Sequence, residues 1–289
     1  MLFDSLLVVV RMRRFAAQES HENRSMPPLE YCARRILQAP LVLIAAIGCQ
    51  SLPTGVDAPL FQHQTKRDQI VLLSNFDVPT SDELLVQLAR QREVVSHALD
   101  LPPTNTPIHV HLFRDDSAYY DFLARRFPGF PQRRAIFVET ENALSVYAHW
   151  SDQVVEDLRH EVTHGCLHAA VPNIPLWLDE GLAEYFEVGA DAEGLNQLHL
   201  DHLTNLANFQ PNLQRLENLH SAADMTQLDY AESWAWTHFL LSAEPESQQL
   251  LVSHVDALRL GNASKLASEL SGRFSDPNTA LKQHLRSLR

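Results

Sequence analysis

His160-Glu161-Val162-Thr163-His164 is the stretch on which the reading of this chain turns. Val154, Leu158 and Val162 recur every four residues around it, the spacing of a helix with one apolar face. On a helix, residues four apart stand on the same side, about 5–6 Å apart at Cβ. His160 and His164 can therefore both turn a ring nitrogen toward one metal ion, and zinc takes imidazole nitrogen in tetrahedral geometry. Glu161, beside the first histidine, can reach a water at the metal rather than the metal itself. That is the place of a general base.

Such a site needs a third protein ligand and an open fourth position. Further along comes Trp177-Leu178-Asp179-Glu180-Gly181-Leu182-Ala183-Glu184, in which Glu180 is separated from His164 by the gap 165–179; it reads as part of a second helix from about Trp177 to Val188. Pro172 and Pro175 break the chain between the two helices. The pair HExxH plus W-L-x-E-G-x-A resembles the gluzincins, the clan that includes thermolysin and aminopeptidase N-type enzymes. Within that clan the likeness is closest to compact peptidase MA-like domains. Its specific part is residues 160–187. The resemblance implies that Glu180, before the glycine, is the third zinc ligand. It also implies that Glu184, four residues further along the same face, orients His160, with Glu187 on the next turn as the alternative. The implied activity is zinc-dependent hydrolysis of peptide bonds with Glu161 as general base, on a peptide or protein substrate. Clan members add a Tyr or His that stabilises the oxyanion, and Tyr230 is the candidate, against a packing role beside Trp234 and Trp236. Peptide can bind along an edge strand upstream of the zinc helix, which would place it at Ala143 to His149. The Gly-x-Met-Glu-Asn motif of aminopeptidases is absent.

Working outward, Ile70 to Leu73 and Ile108 to Phe113 read as strands, and Ala135 to Val138 with Leu144 to Tyr147 as a hairpin. Helices are expected at 82–99 and 117–127, and the signal from 151 onward is helical. The predicted fold is α+β: a small, mostly antiparallel sheet packed on the zinc-binding helix, followed by a helical C-terminal half. The expected organisation is a signal or anchor segment over 1–49, a tether over 50–67, a metallopeptidase α+β subdomain over 68–190 and a helical subdomain over 191–289.

Residues 34–49 have the form of an export signal: Arg34 and Arg35, an apolar run from Ile36 to Ile47 too short to span a bilayer, then Gly48-Cys49. Ala46-Ile47-Gly48-Cys49 resembles a bacterial lipobox, which implies lipidation at Cys49 and a membrane-tethered, exported protein. Met26 would give that signal a normal length, so the start at Met1 is read as misplaced. The three cysteines, Cys32, Cys49 and Cys166, contain no CxxC pair, which excludes a zinc ribbon. A net charge of −13 excludes a nucleic-acid partner, which would need a basic surface. Oligomeric state has no signal in the chain.

Other histidines read as ordinary surface. His109 and His111 share the polar face of a strand, His168 lies one turn beyond the metal pair, and His199 and His202 sit opposite a leucine stripe. The reading that competes with a peptidase is an envelope lipoprotein that keeps the zinc site without turnover and serves as a binding or assembly factor.

Overall fold

A computed structural model describes residues 10–12, 60–130 and 132–289. Residues 34–49, read above as an export signal, and Met26, Cys32 and Cys49 lie outside these residues. Strands β1 (Val10–Met12), β2 (His63–Arg67), β3 (Ile70–Ser74), β4 (Ile108–Phe113), β5 (Ala135–Thr140) and β6 (Ala143–His149) form one sheet in the order β1-β5-β6-β4-β3-β2. Helices α1 (Ser81–Ala98) and α2 (Asp116–Arg126) connect strands. Helices α3 (Val154–Ala170) and α4 (Leu176–Phe186) follow the sheet. Then come α5 (Gln197–Asn205), α6 (Leu213–Leu216), α7 (Gln227–Ser242), α8 (Pro245–Arg259), α9 (Leu266–Arg273) and α10 (Pro277–Ser287). The α+β class and the helical C-terminal half are as expected.

The sheet is mixed. The hairpins β2–β3 and β5–β6 are antiparallel, whereas β4 runs parallel to both β3 and β6. β3 reaches β4 through α1, a crossover that returns the chain in the same direction, and β4 reaches its other parallel neighbour β6 through α2 and β5. β6 is hydrogen-bonded on both sides, to β4 and β5, so the stretch Ala143–His149 offers no free edge to a peptide. The polar stretch read as a tether ends sooner than residue 67, because His63–Arg67 is β2. All five of its residues are exposed on a sheet edge, so no apolar alternation marks it as a strand.

The core runs without a seam from Ile70 and Leu72 of β3, through Leu158 and Val162 of α3, to Leu281 and Leu285 of α10. A smaller aromatic cluster, including Phe113, Tyr119, Phe127 and Ile136, takes in Tyr147 and Phe61 at its margin. His111 belongs with this cluster rather than on a solvated face. Its ring stacks on Tyr147 with centroids 4.6 Å apart, and burial, helped by the neighbouring His109, lowers its pKa to about 4.

Helices α4 and α7 meet at Gly181. A Cβ there would lie 2.4 Å from Thr237 Oγ1 and 2.5 Å from the Ser233 carbonyl oxygen. Backbone cannot yield as a side chain does, so Gly181→Ala is expected to destabilise the protein by about 1–3 kcal/mol. Urea denaturation with an unchanged m value would show it; an unaltered midpoint would mean the helices separate freely.

Candidate metal centre

The regular i, i+4 spacing on α3 places His160 and His164 side by side, with ring centroids 5.0 Å apart. α4 packs across them and brings Glu180 to both. Glu180 Oε2 lies 3.8 Å from His160 Nε2 and 3.9 Å from His164 Nε2. All three residues are buried, and their ligand atoms lie within 4.8 Å of one another. His164 Nε2, both Glu180 carboxylate oxygens and Glu161 Oε2 are buried without a hydrogen-bond partner among the described residues. A buried polar atom left bare costs about 1–3 kcal/mol, so four converging ones need an explanation. A divalent cation shared by two imidazole nitrogens and one carboxylate oxygen would supply one, and the donor set fits such an ion.

The other ring nitrogens are held by carboxylates. His160 Nδ1 is 2.7 Å from Glu187 Oε2, and His164 Nδ1 is 2.8 Å from Asp179 Oδ1. Each imidazole thus has Nδ1 engaged and Nε2 turned to the centre, the arrangement that orients metal-binding histidines. Glu187 is itself held by Asn196 Nδ2 at 3.0 Å. Its backbone carbonyl accepts from Arg159 Nε at 2.6 Å.

Of the two carboxylates considered for His160, the alternative Glu187 is the one hydrogen-bonded to its Nδ1. The orienting partner of His160 is Glu187, and Glu184 Oε2 instead meets His199 Nε2 at 2.7 Å. Glu180, Glu184 and Glu187 share a face of α4, and only the crossing of α4 over α3 decides which of them reaches which ring. His199 is accordingly buried rather than on a polar surface, because α5 turns it inward against Trp234 and Glu184. His168 is not on the surface either; its side chain is 2% exposed. Asp179 was not identified from the sequence. It neighbours Glu180, so on an isolated helix it points about 100° away, and only the α3–α4 packing turns it onto His164. Glu187→Ala is expected to weaken divalent-metal affinity by about 10–100-fold, read by competition with a chromophoric chelator.

Burial dominates the electrostatics. It pushes Glu161 up to about 8; His160 opposes the shift, while Asp157, Asp179 and Glu187 add to it. Burial likewise raises Glu180 well above the usual carboxylate range. His164 falls to about 4, again by burial. His160 moves up because the hydrogen bond and charge of Glu187 outweigh its own burial. A cation at the centre would reverse the penalty on both glutamates. Tyr230 on α7 is buried, and the negative charges of Glu180, Glu184 and Glu161 add to burial in raising its pKa, so its phenol keeps its proton. Asp157, one turn before Glu161, is clamped by Arg134, with Nη2–Oδ1 at 2.7 Å and Nε–Oδ2 at 3.0 Å.

Residues 129–270 match the family model described as Peptidase MA superfamily. The matched segment includes His160, Glu161, His164, Asp179, Glu180, Glu187 and Tyr230. No curated protein matches the chain. The match over residues 129–270, together with the His160–His164–Glu180 cluster inside it, supports a metallopeptidase-like domain of the MA superfamily.

Proposed function

We propose that the protein is a zinc-dependent peptidase. The observation that carries this reading is the convergence of His160 Nε2, His164 Nε2 and Glu180 Oε2 on one buried point, beside the bare Glu161 Oε2. Two imidazoles and a carboxylate are the ligand set of a catalytic zinc site with an open position. Zinc supplies Lewis acidity and lowers the pKa of a water. Glu161 accepts the proton of the attacking water at its carboxylate and delivers it to the leaving amine. Glu187 and Asp179 keep the two imidazoles in the tautomer that offers Nε2 inward. Tyr230, whose buried phenol feels the charge of Glu180, Glu184 and Glu161, is the candidate donor to the developing oxyanion.

The test is zinc stoichiometry on the purified protein, with hydrolysis of a peptide library before and after chelation. Near one zinc per chain is expected, with activity lost on chelation and restored by zinc. A protein without stoichiometric zinc would sink the reading.

The raised glutamates give a second expectation. At neutral pH in metal-free protein, Glu161, with its carboxyl raised to about 8, holds a proton that the unfolded chain has released, and Glu180 is shifted in the same direction. The native state then binds more protons than the unfolded one, so metal-free stability falls as pH rises from the ordinary carboxylate range toward about 8. Zinc must displace such protons, so its affinity rises over the same interval, by up to about tenfold per pH unit for each proton released. Calorimetric titration in buffers of different ionisation enthalpy reads that release directly.

The export reading of residues 34–49 is also part of the proposal, and it rests on Arg34, Arg35, the apolar run and Cys49 alone. Incorporation of labelled palmitate that disappears in Cys49→Ser would establish lipidation; labelling of neither form would remove the anchor.

A further inference from the structure

We propose that His168 and Glu139 are positioning residues for the metal ligand His164, acting through Asp179, an inference that rests on the zinc-site reading above. Asp179 uses both carboxylate oxygens: Oδ1 accepts from His164 Nδ1 at 2.8 Å and Oδ2 from His168 Nε2 at 2.9 Å. His168 Nδ1 in turn lies 2.9 Å from Glu139 Oε2. The chain therefore runs from the metal ligand to β5, where the Glu139 side chain is 27% exposed. Each link crosses between two elements: from α3 to α4, back to α3, and then to β5.

Both nitrogens of His168 face carboxylate oxygens, which only accept, so both nitrogens donate and the ring is an imidazolium. Burial works against that charge, but Asp179 and Glu139 outweigh it and hold the pKa at about 9. A cation fixed at Oδ2 stops the Asp179 carboxylate from rotating away from His164. Glu139 fixes the cation in turn. The orientation of His164 thus depends on the sheet as well as on α4.

His164, His168 and Asp179 could be taken for a second cation cluster. Their facing atoms, however, already make hydrogen bonds of 2.8 and 2.9 Å, whereas the atoms at the centre between His160, His164 and Glu180 include bare ones. A positioning role accounts for the chain without a second ion.

The test measures zinc affinity by chelator competition, and the visible spectrum of the cobalt(II)-substituted protein, in the full chain. His168→Ala is expected to weaken zinc binding about tenfold and to shift the cobalt bands. His168→Gln, whose amide can still donate to Asp179 Oδ2, should recover most of both. Glu139→Ala should weaken binding about threefold, the smaller effect of a more distant link. Affinity within twofold of wild type with an unchanged cobalt spectrum in His168→Ala would overturn the proposal. Tighter binding would too, since removal of a nearby positive charge would then outweigh any positioning. Should His168→Ala fail to fold, Glu139→Ala decides, and wild-type affinity and spectrum there would overturn it. Wild-type protein that binds no zinc would instead remove the site reading, and this inference with it. Wild-type binding with indifferent variants removes this inference alone.

Discussion

Glu161→Gln is expected to lower kcat for peptide hydrolysis by about two to four orders of magnitude, the range for loss of a positioned general base. The substitution keeps the size of the side chain and removes only its basicity. Glu161 is not among the three converging ligands, so zinc content should stay stoichiometric. Burial raises its carboxyl to about 8 in the absence of a cation, so the neutral amide does not forfeit a favourable buried charge. Stability should therefore hold or rise slightly. Single-turnover kinetics with metal analysis on the same sample would separate the effects. Unchanged hydrolysis with bound zinc would deny Glu161 its role. A zinc-loaded wild type inactive on every peptide offered would point to the competing reading, a zinc-containing binding or assembly factor.

His164→Ala is expected to abolish stoichiometric zinc. An apparent zinc free energy of about 10–16 kcal/mol, shared among the three protein ligands, assigns roughly 3–5 kcal/mol to each. Since about 1.4 kcal/mol is a factor of ten, affinity should fall by roughly two to four orders of magnitude. The loss does not stop at one ligand. His164 is fully buried, and its Nδ1 lies 2.8 Å from Asp179 Oδ1, which accepts that hydrogen bond. Without His164 the Asp179 oxygen faces a void, so metal-free stability should fall as well. Equilibrium dialysis and denaturation of the metal-free variant read the two effects independently. Retained stoichiometric zinc at micromolar concentration would mean the ion sits elsewhere.

These expectations differ in how much of their basis the chain shows before it folds. The pair His160 and His164, with Glu161 between them, follows from the period of a single helix. Local geometry alone puts residues four apart on one side, so no tertiary information is needed. The helical face of Leu158 and Val162 and the strands at Ile70, Ile108, Ala135 and Leu144 were legible for the same reason, because apolar spacing records which side is buried. Glu180 came from a motif on a second helix, and α4 does bring its carboxylate between the two imidazoles.

Beyond that point spacing loses its power. Glu184 and Glu187 lie on neighbouring positions of one face of α4, and which of them meets His160 depends on where α4 crosses α3. The same crossing turns Asp179 onto His164 and buries His168 between Asp179 and Glu139. His199 is drawn inward by α5, and β4 acquires two parallel neighbours through connections that leave no mark in its own six residues. The sequence by itself determined the candidate ligands and candidate base that one helix carries, with the motif that offers a third candidate ligand. Only the tertiary structure decided what holds those ligands in place, because contacts between elements depend on offsets and crossing angles that periodicity within one element does not encode.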